Sequence, residues 1–326
     1  MAAEVSRMNF AVNRLRAVVL GYLMVHGQIL QAQLPALLPP EPQPQLGHNC
    51  ALDGLGESYR NEKGEVIGNG HPIDAIPFQL DGGFLILVDG RIGSLAPLKF
   101  VLDTGTTHTV ISRKIADRLI VPRHQGQGRV LNFDREVKLE WTRLPELQLG
   151  PVVARDIRVL VGDLRQLSEL AERVDAIIGL DVLRSSQSMT IDYLRNLVTF
   201  KFLDCRHVDS RSPVALTVVV PTQGQPVRLI VDTGLKGSLL YQDRIRNRLP
   251  QLKLNANLEV FAGQLKGRAA TLSGIELGTD MQQSSLLLLE RAPNSLPSDI
   301  DGYLGMSALH ARVIELDFAS NTLRWR

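Results

Sequence analysis

From His71 to the C-terminus, short apolar runs rich in Val, Ile and Leu alternate with Gly, Pro and Asp. Runs of that length bounded by turn formers predict strands, so the texture is that of a mostly β protein. Two of the runs are unusual. "FVLDTGTTHTVIS" (100–112) and "LIVDTGLKGSLLY" (229–241) each place an aspartate directly behind strand-forming apolar residues and follow it with Thr-Gly. An unpaired carboxylate in such a place is costly. Met twice in matching surroundings, that cost points to two carboxylates, Asp103 and Asp232, that need each other.

The match extends beyond the two aspartates. "LPELQLG" (144–150) returns as "LSGIELG" (272–278), "DAIIGLDVL" (175–183) as "DGYLGMSAL" (301–309), and "IDYLRNLVTF" (191–200) as "LDFASNTLRW" (316–325). All four landmarks recur in the same order, displaced by 125 to 129 positions. The chain is therefore read as two copies of one β-rich unit, 71–207 and 208–326. Solenoid and propeller units are usually about 20–50 residues, so a unit of this length excludes them. Two lobes facing each other about a pseudo-two-fold axis are expected instead.

Paired Asp-Thr-Gly motifs behind apolar strands, each followed by an apolar-apolar-Gly landmark at Gly179 and Gly305, resemble the aspartic proteases of the pepsin and retropepsin superfamily. The lobes are short, so the chain looks like a retropepsin dimer fused into one polypeptide. The resemblance covers nearly everything from about residue 75 onward. It implies an all-β fold of two barrel-like lobes, with Gly179 and Gly305 buttressing the catalytic turns. It also implies flaps near 124–142 and 257–271, where Gly126, Gly128, Gly263 and Gly267 suit mobile loops. The substrate would be an extended peptide or protein, cleaved without metal or cofactor.

The residues support this chemistry in their own right. Gly105 and Gly234 let the backbone turn sharply and bring amide N–H groups to the carboxylates. Thr104 and Thr233 can hydrogen-bond across the lobe interface. Two carboxylates in near contact share one proton, as in aspartic proteases generally. The ionised one can then take a proton from water while its partner polarises the scissile carbonyl. Thr106 places a hydroxyl beside Asp103, whereas Leu235 and Lys236 stand where the family usually has Ser, Thr or Ala. Hydrogen bonding lowers a carboxyl pKa and desolvation raises it, so Asp103 is expected to be the ionised partner and Asp232 the protonated one. Lys236 is expected to reach solvent. Asp181, Asp192 and Asp317 read as structural. A catalytically inactive peptide-binding or inhibitor-like module of the same fold is the alternative reading, because Leu235 departs from the motif.

Composition narrows the rest. A net charge of +2 without a long basic run, and only 5% aromatic residues, argue against nucleic acid as a partner. Arg14 and Arg16, the apolar block 17–25 and a polar exit have the layout of a secretory signal peptide over 1–33, followed by a Pro/Gly-rich linker or propeptide-like segment over 34–70. The apolar block is shorter than the roughly 20 residues a membrane span needs. Export to a periplasmic or extracellular space is expected, with membrane anchoring if the segment is not cleaved. Cys50 and Cys205 can pair there as a disulfide or remain thiols, and neither has metal-ligand spacing. With both half-sites in one chain, a monomer is expected.

Overall fold

The computed structural model describes residues 18–19, 75–122, 124–133, 135–164, 174–202, 215–221, 226–245, 251–260, 263–272 and 284–326. Cys50, Cys205, the linker and all of the signal-like segment except Val18–Val19 lie outside them. Those two residues form a short strand, β1.

The first repeat runs through β2 (Ala75–Asp81), β3 (Leu85–Ile92), β4 (Leu95–Leu102) and β5 (Val110–Ser112), then helix α1 (Arg113–Leu119). It continues through β6 (His124–Asn132), β7 (Arg135–Leu149), β8 (Val152–Gly162), β9 (Ala176–Ile178), the one-turn α2 (Leu180–Leu183), β10 (Ser188–Asp192) and β11 (Leu197–Lys201). The second repeat runs through β12 (Thr217–Val220), β13 (Val227–Asp232), β14 (Ser238–Tyr241), β15 (Gln251–Val260), β16 (Gly263–Leu272), β17 (Ser284–Leu289) and β18 (Gly302–Gly305). A 3-10 turn (Met306–Leu309), β19 (Val313–Asp317) and β20 (Thr322–Trp325) close it.

Pairing repeats along with sequence. In the first copy β4 runs parallel to β9, β9 antiparallel to β5, and β5 parallel to β8. In the second copy β13 runs parallel to β18, β18 antiparallel to β14, and β14 parallel to β17. Each copy also has a long hairpin, β6–β7 in one and β15–β16 in the other. In the first copy β5 leads into α1, where the Ser112 side chain caps the helix by accepting from the Ile115 N–H at 3.2 Å, and Ile120 ends it in a left-handed conformation.

The strands form two sheets. Eight lie in the order β1-β15-β16-β17-β14-β18-β13-β12, and twelve in the order β20-β19-β10-β11-β2-β3-β4-β9-β5-β8-β7-β6. The terminal hairpin β19–β20 thus belongs to the second repeat by sequence but hydrogen-bonds into the first repeat's sheet, through β10 and β19 from Ser188↔Asp317 to Asp192↔Val313. Asp192 and Asp317 stand at matching positions beside this seam. Asp192 Oδ1 accepts the N–H groups of Leu194 and Arg195, and Asp317 Oδ1 those of Ala319 and Ser320. Both are turn residues, as their setting in the sequence suggests. A shared apolar core, from Phe78 and Phe100 through Leu183 and Leu240 to Phe318, underlies the join.

Candidate active site

β4 ends at Leu102 and delivers Asp103; β13 ends on Asp232 itself. Both carboxylates are completely buried. Asp103 Oδ1 accepts the Gly105 N–H at 2.8 Å, and Asp232 Oδ1 accepts the Gly234 N–H at 2.8 Å. The backbone N–H groups of Thr106 and Leu235 face the same carboxylates. The two Oδ2 atoms are buried without a hydrogen-bond partner among the described residues, and the two carboxyls lie close enough to interact. Their closeness explains a glycine: a Cβ at Gly105 would lie 2.5 Å from Asp232 Oδ2 and 2.7 Å from Oδ1.

Burial dominates the titration of the pair. It pushes Asp232 up to about 7. Asp103 is held well above the usual carboxylate range by burial first, then by the charge and hydrogen bond of Asp232. Two neighbouring carboxyls held up in this way titrate as one unit.

The threonines lock the turns reciprocally. The Thr104 N–H donates to Thr233 Oγ1 at 3.0 Å and the Thr233 N–H to Thr104 Oγ1 at 3.2 Å. In turn, Thr104 Oγ1 donates to the Val231 carbonyl and Thr233 Oγ1 to the Leu102 carbonyl, both at 2.8 Å. Four buried bonds related by a pseudo-two-fold thus tie each Asp-Thr-Gly turn to the strand feeding the other.

Gly179 and Gly305 pack directly beneath the loops that follow the dyad. A Cβ at Gly179 would lie 2.7 Å from the His108 carbonyl carbon, and one at Gly305 would run into the carbonyl oxygens of Leu235 and Gly237. The first loop is bonded further, from the Leu180 N–H to the Thr106 carbonyl at 2.9 Å. Asp181 accepts from the Thr109 N–H at 2.8 Å and the Thr109 hydroxyl at 2.7 Å, which fixes the loop rather than reaching the dyad. Burial raises its carboxyl and the nearby His108 opposes that.

One expectation is overturned. The Thr106 hydroxyl donates to the His108 carbonyl at 3.1 Å, not to the Asp103 carboxylate. What residue 106 offers the carboxylate is its backbone N–H, and Leu235 offers Asp232 the same group. The side-chain difference therefore does not distinguish the two aspartates in the way the sequence suggested, and the assignment of Asp103 as the ionised partner loses its basis. Leu235 is buried in an apolar cluster, and Lys236 is exposed.

The hairpins lie where the flaps were expected. Gly267 sits within β16, where a Cβ would lie 2.7 Å from the Leu288 carbonyl oxygen, so close strand packing accounts for it. Gly126 and Gly128 lie in β6, where pairing with β7 slips register between His124 and Gly128. The tip of the first hairpin carries a residue that sequence reasoning missed, Phe133, completely buried in the second lobe. Its signal was an aromatic ring at a hairpin tip between Asn132 and Asp134, where polar residues are usual. Among the described residues no three His, Cys, Asp or Glu side chains group as a metal site.

Residues 88–182 match the family model described as aspartyl protease, a span that includes Asp103 and Gly179. No curated protein gives a significant match. Among solved structures, a retropepsin-like aspartic protease from Rickettsia conorii is 17% identical, over 39% of this chain and 89% of that one, with a TM-score of 0.29. A superposition that loose does not bear on the fold. The family match falls on the first of the two strands that lead into buried aspartates. The first part of the chain, residues 88–182, is thus similar to an aspartyl protease domain.

Proposed function

We propose that the chain is an aspartic endopeptidase that hydrolyses peptide bonds between Asp103 and Asp232. The observation that carries this reading is the burial of both carboxyls at the ends of matching strands, with the Gly105 turn packed directly against the Asp232 carboxyl. The ionised member takes a proton from a water as its oxygen attacks the scissile carbonyl carbon. The protonated member gives its proton to the carbonyl oxygen. When the resulting tetrahedral adduct collapses, the C–N bond breaks and the nitrogen leaves with a proton returned from the dyad. No covalent enzyme intermediate is needed. Thr104 and Thr233 hold the two carboxyls in register, and Gly179 and Gly305 let the loops behind them close up.

An extended peptide lying under the hairpins suits the cleft, with main-chain bonds for affinity and apolar pockets for selectivity. The basic, short-apolar and polar order of the N-terminus supports export, and the presence of both half-sites in one chain supports a monomeric active species.

Asp103→Asn and Asp232→Asn should each lower kcat about 10²- to 10⁴-fold on an unstructured protein substrate, with the double variant little worse. Either single variant keeping substantial hydrolysis would overturn the shared-proton mechanism. A module that binds without cleaving would show no turnover in the wild type and unchanged affinity in both variants.

A further inference from the structure

The face of the first lobe that leads to Asp103 can be followed outward by strand register. Residues two apart on a strand share a face, so Val101 lies on the side of β4 that precedes Asp103. From Val101 the row runs through Ile177, Val110 and Leu160 to Trp141 on β7 and His124 on β6. The first four are buried, Trp141 is half-buried and His124 is exposed, so the row passes from core to rim. At the rim it changes character. The His124 ring stacks on Trp141 with centroids 4.2 Å apart, and the Arg158 guanidinium lies over the same indole at 4.3 Å.

Arg158 is the unusual member of this group. It stands directly across from Arg143, an unfavourable arrangement for two like charges. Arg143 is neutralised by Asp156, donating to its Oδ2 at 2.9 Å. The acidic residues of β7 are engaged as well, Glu140 with Arg113 and Glu146 with both Arg91 and Arg155. Among the described residues no carboxylate pairs with Arg158, whose contact is the Trp141 ring. A guanidinium laid flat on an indole is held in one orientation with its N–H edges turned away from the ring. Such an edge offers two parallel bonds to a carboxylate.

The second lobe is built differently at this point. Ala269 stands where Trp141 does, because it pairs with Leu287 as Trp141 pairs with Leu160. Ser285 faces Thr271 in the ladder as Arg158 faces Arg143. At these register positions the ring and the charge belong to the first lobe alone.

We propose that Arg158, seated on Trp141, binds the carboxylate of an acidic residue in the peptide substrate, away from the scissile bond. This rests on the reading of the cleft as a peptide site. Four strand-to-strand steps of about 4.8 Å separate Val101 from Trp141, roughly 19 Å along the sheet. An extended chain covers about 3.3 Å per residue, so the acidic residue stands at most about six positions from the bond that is cut. The dyad then does the chemistry, and the arginine fixes the register in which the peptide lies.

The test uses the full chain and tetradecapeptides in which a single Glu or Gln is moved along an otherwise uncharged sequence. The central amide is reduced so that they bind without being cut. In the wild type, one position or two neighbours should favour Glu over Gln about fivefold, and high salt should erase much of that ratio. Arg158→Gln should bring the ratio at that position to about one. Arg158→Lys keeps the charge without the flat stack or the paired donors, and should retain only part of it. Arg158→Glu should favour Lys there instead. No position with a Glu preference, or a preference that survives in Arg158→Gln, would mean that the guanidinium only covers the indole, and would overturn the proposal. Hydrolysis of the unmodified peptides is followed in parallel. A Glu preference in binding without turnover would retain the subsite and sink the peptidase reading. Turnover without a Glu preference would do the reverse.

Discussion

The two lobes are alike where they meet and unlike one layer further out. At the centre, each turn bonds its own aspartate through the second and third following N–H groups and reaches across to the other strand through a threonine. Three residues past each aspartate the likeness ends. Thr106 turns its hydroxyl onto the His108 carbonyl, while Leu235 enters an apolar cluster that a hairpin from the other lobe completes. The lesson is that two matching halves can keep a carboxyl pair nearly symmetric and still diverge one layer away. The carboxylates depend on backbone donors, which are indifferent to the side chain at 106 or 235. Packing depends on that side chain entirely.

The sharpest way to break the central likeness is to remove one lock. Thr233→Val keeps the shape but deprives the Thr104 N–H of its acceptor and the Leu102 carbonyl of its donor. Leaving two buried backbone groups unpaired should cost roughly 2 to 4 kcal/mol, read by chemical denaturation. Thr104→Val should cost the same within error, since its bonds are the mirror set. A large difference between the two variants would show that the pseudo-symmetry is only geometric.

A smaller effect sharpens the outer difference. Leu235→Thr puts a hydroxyl into the apolar cluster around Phe133 and Tyr303 and should cost about 2 kcal/mol. Thr106→Val removes one hydroxyl bond to the His108 carbonyl and should cost about 1 kcal/mol. Because that hydroxyl does not touch Asp103, the acidic limb of the pH–rate profile should stay in place in Thr106→Val. A clear shift of that limb would restore the contact that the geometry denies.

The subtlest measurement is pH dependence of stability, where the pair acts as one unit. Unfolded aspartates release their protons near about pH 4. In the folded chain burial pushes Asp232 up to about 7 and raises Asp103 as well. Between those limits the native state holds more protons than the unfolded one, so the pair stabilises most at acid pH and its contribution is lost as pH rises through about 7. Stability measured from pH 4.5 to 7.5 should therefore decline more steeply in the wild type than in Asp232→Asn. Parallel slopes would mean that the carboxyls are not buried as a proton-sharing pair.

Much of this was legible before any coordinates. An aspartate behind three strand residues is locally expensive, and its repetition within a four-landmark duplication told of the paired strands, the turn glycines, Gly179 and Gly305. Those features depend on short segments whose own pattern carries the constraint: a period of two, a turn that needs glycine, a carboxylate that needs a partner. What the Thr106 hydroxyl bonds to, why β19 and β20 join the first repeat's sheet, and where Phe133 goes were decided by tertiary structure alone. Each is a choice between partners far apart in the chain, with several equally suitable in kind. A hydroxyl donates to any nearby carbonyl, an edge strand pairs with any free edge, and a phenylalanine fills any apolar hollow, so only the packing of one lobe against the other selects among them.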